Sequence, residues 1–283
     1  MILTRLNEQN AKEFKELIPA ELILDLNRAN IKGIVGTDEN AKELLSAVFW
    51  ELKNMEEEEL PVEAEILWFY AKTAADGEEV LSVSELTKDK GKISRVYFEL
   101  PKPQDAEEAA LGAAGFTLTE CESRDLYVTV DEIAMLKVIR NKPDDYVKPL
   151  SLISPRQFKG GVMTCVFHER YGLLDDLPFL PMSRFDPDVS CCIETDDKVN
   201  GFLLTHKLED GPYRVELFAA MMPDAKIHLL NMIRFSARAL YKLKPPDEKV
   251  LLRRHNKATM ELVNKLFPGK KGEQAVRGER KGD

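Results

Sequence analysis

The chain has 283 residues, of which 44% are hydrophobic and 31% are charged, and its net charge is −9 at pH 7. This length allows two domains of ordinary size, each with its own core. The acidic balance argues against general nucleic-acid binding, which depends on neutralising phosphates with Lys and Arg. We find no apolar run near the roughly 20 residues of a membrane span and no signal-like N-terminus, so we expect a cytoplasmic protein without membrane contact.

The cysteines show no metal-binding pattern. Cys121, Cys165, Cys191 and Cys192 form no C-x-x-C pair, and no histidine lies at zinc-finger spacing from them. We therefore predict reduced thiols and no metal site. The stretch 269–283 is basic and rich in glycine, which is typical of a frayed terminus.

Helix and strand patterns alternate along the first half. Apolar spacing predicts a helix that ends before Pro19, and two strands then flank the turn Thr37–Asn40. A strongly apolar segment predicts a central strand, followed by a weak helix, another buried strand, an alanine-rich helix and closing strands. In chain order, the predicted ranges are 7–18, 31–36, 44–52, 64–71, 77–90, 93–100, 106–114 and 116–130.

The second half repeats this plan, with a hairpin, a strand, a long helix, a strand and a short helix. The predicted ranges are 190–194, 199–208, 214–222, 225–243, 249–253 and 258–267. An element order that occurs twice indicates an internal repeat of domain size. The polar, proline-bearing stretch Asn141–Asp145 is suited to a linker, so we predict domains 1–140 and 146–283.

Several local strings resemble those of the GCN5-related N-acetyltransferase (GNAT) family. The family pattern has an Asn, then Leu-Tyr six residues later, then Glu-Lys-Leu-Gly-Phe. In the second half, Asn256 precedes Leu262–Phe267 at this spacing. In the first half, Gln104 takes the Asn position and Gly115–Phe116 matches the closing pair. The segment Ala64–Ile66 is similar to the family strand that often carries a catalytic glutamate.

The resemblance implies a fold, a cofactor and a reaction. Each domain is expected to be an α+β unit, a mixed and mostly antiparallel sheet flanked by helices, whose fourth and fifth strands splay to hold the cofactor. The implied reaction is acyl transfer from acetyl-CoA to an amine, with Glu65 or its second-half counterpart Glu216 as the base. The alternative for both glutamates is that alternation turns them to solvent or pairs them with a lysine.

The chain departs from the family where acetyl-CoA is normally held. The family loop after the fourth strand reads Arg/Gln-x-x-Gly-x-Gly/Ala, and its glycines let the backbone approach the pyrophosphate. Thr73–Val80 keeps only Gly77 and adds Asp76, Glu78 and Glu79, whose charge opposes an anion site. The second half has Met222–Lys226 there, without a glycine.

The family tyrosine that protonates the leaving thiolate is also replaced. Leu111 stands in its place in the first half and Val263 in the second, and neither side chain can donate a proton.

The remaining candidates for cofactor binding lie in one basic run. Arg253, Arg254, Asn256 and Lys257 end a predicted strand and open a helix, where a CoA phosphate could be held by charge; the alternative is a solvated loop. We interpret His168, His206 and His228 as structural or surface residues.

Two functions therefore remain open. One is a divergent acyl-CoA-dependent N-acyltransferase with a degenerate cofactor site. The other is a catalytically inactive GNAT-fold protein that binds a small ligand or a protein partner. The sequence names neither the amine substrate nor the oligomeric state.

Overall fold

The chain folds into two compact units. The computed structural model describes residues 1–7, 9–26, 30–55, 60–86, 93–169, 181–195, 198–207, 211–254 and 257–281. The first unit comprises Met1–Ser123 together with Gly272–Asp283, and the second comprises Arg124–Lys271. Each unit is built around one sheet. No helix within the described ranges is long and apolar enough to cross a membrane.

Seven strands form the first sheet, in the spatial order β1-β2-β3-β4-β5-β13-β6. Their bounds are β1 Ile2–Leu6, β2 Ile31–Thr37, β3 Leu44–Lys53, β4 Glu63–Ala71, β5 Arg95–Pro101, β6 Thr117–Glu122 and β13 Gln274–Lys281. The strands β1 to β4 form an antiparallel meander, β4 and β5 run parallel, and β13 lies antiparallel to both β5 and β6.

Two cores cover the faces of this sheet. Helices α2, Ala74–Val83, and α3, Asp105–Ala113, contribute to one core with side chains such as Trp50 and Phe98. The opposite face is covered over β1 to β3 by a short 3₁₀ turn, Ala11–Phe14, and by helix α1, Ala20–Asp25.

The predicted N-terminal helix differs from the observed structure. Only Ala11–Phe14 forms a 3₁₀ turn, and α1 begins after Pro19 rather than ending before it. The side chains of Asn7 and Asn10 hydrogen-bond to nearby backbone groups, including the Asn7 amide, which donates to Asn10 Oδ1 at 2.8 Å. Such local bonds compete with helix formation.

Six strands form the second sheet, in the order β7-β12-β11-β10-β9-β8. Their bounds are β7 Asp125–Thr129, β8 Val147–Pro149, β9 Cys191–Thr195, β10 Lys198–Lys207, β11 Tyr213–Ala220 and β12 Lys249–Arg253. The helices of this unit are α4 Val130–Ala134, α5 Pro155–Glu169, α6 Ala225–Leu243 and α7 Lys257–Leu266.

Both sheets follow the same plan. In the second, β8 to β11 form the antiparallel meander, β11 and β12 run parallel, and β7 pairs antiparallel with β12. This arrangement confirms the predicted α+β class, with mixed and mostly antiparallel sheets flanked by helices.

The boundary between the units differs from the predicted one. Strand β7 already lies in the second sheet, so the chain leaves the first unit after Ser123. The predicted linker Asn141–Asp145 lies inside the second unit, where its end is fastened to α6. The Asn231 side chain donates to Asp144 Oδ2 at 2.8 Å and to the Tyr146 hydroxyl at 2.7 Å. Asp144 is one of the polar residues on which the linker prediction depended, and in the structure it accepts a hydrogen bond from α6.

The C-terminal stretch is a strand instead of a frayed end. Strand β13 lies between β5 and β6, with Ala275 and Val276 buried. Two of its charged residues pair across the sheet: Arg277 contacts Glu99 at 2.9 Å, and Glu279 contacts Arg95 at 2.8 Å. The alternation of these side chains along β13 explains why composition alone indicated a polar tail.

A glycine substitution tests the position of β13. A Cβ atom at Gly278 would overlap the ring of the buried Phe98, so we expect Gly278→Ala to lower the free energy of unfolding by about 1–3 kcal/mol. Gly112→Ala in α3 is the matched control, because its Cβ would meet nothing within 4 Å; it should be neutral or stabilising by up to about 1 kcal/mol. Urea unfolding measures the free energy of unfolding of both variants. Equal stabilities would contradict the placement of β13.

Candidate functional site

Each sheet contains a β-bulge at the same place. Between β3 and β4, Phe49 pairs with Trp68 and Trp50 pairs with Ile66, so Leu67 is the extra residue. Between β10 and β11, Leu204 pairs with Leu217 and Thr205 pairs with Val215, so Glu216 is the extra residue. A bulge bends its strand and redirects the side chain that it carries.

The bulges lie next to the point where the parallel strands stop pairing. The last paired residues are Ile66 with Phe98 in the first unit and Arg214 with Leu251 in the second. Beyond these pairs, the fourth and fifth strands of each unit have no register with one another. Leu67 and Glu216 therefore lie where the fourth and fifth strands of each unit cease to pair.

Glu216 is the centre of a buried polar cluster. His206 Nδ1 lies 2.9 Å from Glu216 Oε1, and Arg214 donates to the same oxygen from Nε at 3.0 Å and Nη2 at 2.6 Å. Arg184 Nη2 approaches it at 3.4 Å. We call Arg184, His206, Arg214 and Glu216 the Glu216 cluster.

The surroundings of Glu216 hold it as an anion. Burial acts to raise the pKa of the carboxyl, but the hydrogen bond from His206 and the charges of Arg214 and Arg184 outweigh this effect. The net result is a pKa well below its usual range. A carboxylate held so firmly in its ionised form is a weak proton acceptor, which argues against the predicted role of Glu216 as the base.

Glu65 has a different environment. It lies on β4 opposite Glu51, and Lys53 Nζ approaches its Oε2 at 3.4 Å while also contacting Glu51. The pairing with a lysine is the alternative that the sequence left open for Glu65. Beside it on β5, burial and the nearby charges of Glu65 and two further glutamates raise the pKa of Tyr97.

The two predicted bases do not occupy equivalent positions. Counting from the bulge, Leu67 corresponds to Glu216, and Glu65 corresponds to Arg214. The predicted pairing of Glu65 with Glu216 was therefore two residues out of register. The acidic residue at the bulge occurs in the second unit only.

In the first unit, the start of α2 is occupied by the protein's own side chains. The Thr73 hydroxyl accepts a hydrogen bond from the Asp76 amide at 3.2 Å and donates to the Asp76 carboxylate at 2.6 Å. Gly77 is buried, and a Cβ there would lie 2.6 Å from the Ala110 Cβ and 2.9 Å from the Ala71 Cβ. Gly77 thus serves the packing of α2 on α3 and β4, a role other than the predicted contact with a cofactor.

In the second unit, the cap residue of α6 does not bond to the helix amides through its side chain. Asp224, at the cap position, has a left-handed backbone with φ of 59° and makes no capping bond with its side chain. Lys226 lies in the exposed first turn of the helix. The Ile227 amide donates to the Asp224 carbonyl at 2.8 Å, so the amides left for an anion are those of Ala225 and Lys226, with the Lys226 cation beside them.

The basic run 253–257 is divided between different roles. Arg254 is buried, and its Nε donates to the Arg124 carbonyl at 2.9 Å, so it fastens β12 to the entry of β7. Arg253 is exposed and approaches Asp125 at 3.8 Å, and Lys257 is exposed at the first position of α7. Asn256 lies outside the described residues. Arg253 and Lys257 are thus accessible to a phosphate, whereas Arg254 is not.

Both positions of the missing family tyrosine are in the cores. Leu111 is fully buried in the first unit, and Val263 is buried against α4 and α6 in the second. Neither side chain has a proton that it could donate to a thiolate.

Several solved structures are similar to this chain over nearly its whole length. A tandem GNAT protein from the clavulanic acid biosynthesis pathway is 10% identical, with a TM-score of 0.55 over 100% of this chain and 98% of that chain. A conserved protein of unknown function from Bacteroides thetaiotaomicron is 12% identical, with a TM-score of 0.56 over 99% and 100%. A putative acetyltransferase from Pyrococcus horikoshii is 13% identical, with a TM-score of 0.52 over 100% and 89%.

The chain therefore has a tandem GNAT fold, as the resemblance implied, at an identity that marks it as divergent. No family model and no curated protein matches the sequence.

Sequence reasoning missed three members of the Glu216 cluster. Arg214 and Glu216 are two apart on one strand and hence on a similar face, a spacing that could have indicated an ion pair. His206 was interpreted as a structural or surface residue, and Arg184 lies far away in sequence. A bulge, which brings these groups together, leaves no clear mark in a single sequence.

The ion pairs of Glu216 predict a pH-dependent contribution to stability. Because its folded-state pKa is lowered, Glu216 stabilises the fold above its unfolded pKa of about 4.3, and this contribution declines as the pH falls below that value. We expect Glu216→Gln to lower the free energy of unfolding by about 3 kcal/mol at pH 7, and by less at pH 3.

Glu65→Gln is the control, because its carboxylate is more exposed and its pairing with Lys53 should contribute less than about 1 kcal/mol. Denaturant unfolding at both pH values measures the difference. A pH-independent effect of Glu216→Gln would contradict the ion-paired carboxylate.

Proposed function

We propose that the chain is an acyl-CoA-dependent N-acyltransferase whose second unit binds the acyl donor, and whose first unit has lost that capacity. The observation that carries the proposal is the difference between the two helices that follow the bulged strands. The side chain of Asp224 makes no capping bond at the start of α6, whereas at the start of α2 the Thr73 hydroxyl accepts from the Asp76 amide and donates to the Asp76 carboxylate.

This difference favours binding in the second unit for electrostatic reasons. A helix N-terminus combines unpaired amides with the positive end of the helix dipole, so it attracts a phosphate. Lys226 adds a positive charge in the first turn of α6. Both helix starts have a carboxylate, but Asp224 is at the cap position of α6, which has no acidic residue in its first turn, whereas Asp76 lies within the first turn of α2. A pyrophosphate would therefore meet like charge in the first turn of α2.

The residues present in the second unit fit acetyl-CoA as a donor. The pyrophosphate would be held by the first amides of α6 and by Lys226. Arg253 and Lys257 are exposed and available to a further phosphate. The bound thioester would supply the acyl group, and Glu216 at the bulge would contact the acceptor amine. Val263 supplies no proton for the thiolate, so that proton comes from solvent.

A charge reversal at α6 tests the site of binding. Titration calorimetry of the full chain with CoA and with acetyl-CoA should show binding, and Lys226→Glu should weaken it at least tenfold, about 1.4 kcal/mol, because the new carboxylate repels the phosphates. Ala75→Glu is the matched control, since Ala75 is the exposed second residue of α2 as Lys226 is of α6. It should change the affinity less than twofold.

Two results would contradict the proposal. Loss of affinity in Ala75→Glu, with Lys226→Glu unchanged, would assign donor binding to the first unit. No binding of either ligand to the parent protein would reject the acyltransferase and favour a catalytically inactive protein that binds another ligand.

A further inference from the structure

The two units have net charges of opposite sign. The first unit has 16 Lys and Arg residues against 29 Asp and Glu residues, a net charge of −13, whereas the second has 24 against 20, a net charge of +4. The net charge of −9 for the whole chain therefore conceals a basic second unit. Such an asymmetry within one chain is typical of a protein whose basic part contacts a polyanion or an anionic surface.

The positive charge of the second unit is concentrated along α6 and the segment 133–143. Neither stretch contains an acidic residue. Carboxylates flank the segment at Glu132 and Asp144, where they accept bonds from Lys270 and Asn231. The cations along these two stretches, which we call the α6 basic face, are Lys137, Arg140, Lys142, Arg234, Arg238 and Lys242.

The segment runs antiparallel to α6 and in contact with it. The Asp131 amide donates to the Pro246 carbonyl at 2.9 Å, just beyond the C-terminal end of α6. Arg238 Nη1 donates to the Ile139 carbonyl at 2.9 Å. The bonds of Asn231 described above lie farther along in the same direction. The cations of the segment therefore lie beside those of the helix.

The α6 basic face lacks matching carboxylates. In the part of the chain that the structure describes, none of its six cations makes an ion pair. Arg234 and Arg238 donate to neutral oxygens, those of the Asn231 amide and the Ile139 carbonyl. The other four cations are exposed. The face therefore has a positive charge that an external anion can match.

Exposed apolar side chains lie among these cations. Tyr241 follows Arg234 by seven positions, about two helical turns, so the two lie on one face of α6, and Tyr241 is 59% exposed. Ile227 precedes Arg234 by the same interval and is 56% exposed. Met135, two residues before Lys137, is 75% exposed. Unpaired cations interspersed with exposed apolar side chains are typical of contact with an anionic lipid surface.

The apolar members favour a lipid surface over a nucleic acid. A nucleic acid is held by phosphate contacts and by bases that stack on aromatic rings. The face has one such ring, Tyr241, whereas Ile227 and Met135 offer neither a ring nor a hydrogen bond. At a lipid surface, cations contact the headgroups while aliphatic side chains enter the boundary with the acyl chains, and a tyrosine is favoured at the same depth.

We propose that the α6 basic face binds the surface of a membrane that contains anionic lipids. This inference is independent of the proposed acyltransferase function. It departs from the expectation of no membrane contact, which depended on the lack of a spanning segment and of a signal in the sequence; attachment to a surface needs neither. Each Lys or Arg near an anionic surface strengthens binding about fivefold.

Flotation of the full chain with lipid vesicles, in the absence of CoA, tests the proposal. Neutral vesicles contain phosphatidylcholine alone, and in anionic vesicles phosphatidylglycerol replaces about a third of it. We expect the parent protein to float with the anionic vesicles and not with the neutral ones. Binding should weaken as salt is raised, because the Debye length falls from about 10 Å at 0.1 M to about 3 Å at 1 M.

Two matched double variants locate the binding face. Lys137→Glu with Lys242→Glu reverses two exposed cations of the α6 basic face. Arg156→Glu with Lys159→Glu makes the same change of charge at exposed positions of α5, which packs on the opposite face of the second sheet. The first variant should bind anionic vesicles at least tenfold more weakly than the parent, and the second less than threefold more weakly. Circular dichroism checks that both variants are folded.

A third variant tests the apolar contribution. Met135→Ser with Tyr241→Ser keeps every cation of the face, and both positions are exposed, so the fold should be unaffected. We expect it to bind anionic vesicles at least fivefold more weakly, because its side chains no longer enter the lipid boundary. Unchanged binding would show that the face responds to charge alone and would contradict the lipid assignment.

The remaining outcomes also decide. No flotation of the parent with anionic vesicles, or an equal loss in the α6 and α5 charge variants, would overturn the inference. The parent should also be tested for binding to a duplex DNA and a duplex RNA of mixed sequence. Binding of either duplex that is lost with Lys137→Glu and Lys242→Glu, while vesicles are not bound, would assign the face to nucleic acid instead.

Discussion

The constraint on which the sites depend is the end of the parallel pairing between the fourth and fifth strands. Up to that point the backbone groups of both strands bond to each other, and the bulge follows in the fourth strand. Beyond it the fourth and fifth strands no longer pair, and the bulge redirects the side chain of its extra residue. Each unit keeps this geometry, and the residue at the bulge differs: Leu67 in the first unit and Glu216 in the second.

The two units have diverged by changing which groups satisfy the helix that follows. In the first, the Thr73 side chain accepts a hydrogen bond from the Asp76 amide and donates to the Asp76 carboxylate, and the absence of a side chain at Gly77 allows α2 to pack closely on α3 and β4. These contacts favour stability over ligand binding. In the second, α6 has no such cap. A duplicated fold thus allows one copy to become structural while the other retains a site, since both sheets remain fully formed.

The fold could be predicted from the sequence because its information is local and repeated. Alternation, turns and helix spacing marked the main elements, and their order occurred twice. The sequence could not show that β7 joins the second sheet and β13 the first. Strands of this composition suit either sheet, and only the pairing of β7 with β12 and of β13 with β5 decides which sheet each strand joins. The predicted equivalence of Glu65 and Glu216 was out of register for a related reason. A β-bulge adds one residue to a strand, and no particular residue type marks its position. The predicted bases and phosphate-binding residues were chosen by residue type alone. Residue type does not show that Arg254 is buried, unlike its neighbours in the basic run.

The position of β13 has a consequence for synthesis. The second unit is one continuous stretch, Arg124–Lys271, and it has all its parts before β13 is translated. The first unit, although its residues are made earliest, lacks the strand between β5 and β6 until the residues after Gly272 have emerged from the ribosome. The first unit therefore begins to be translated first but is completed last. The edges of β5 and β6 that β13 will cover therefore stay unpaired until the end of synthesis. Unfinished chains on the same messenger RNA are most vulnerable to pairing with one another at these two strands.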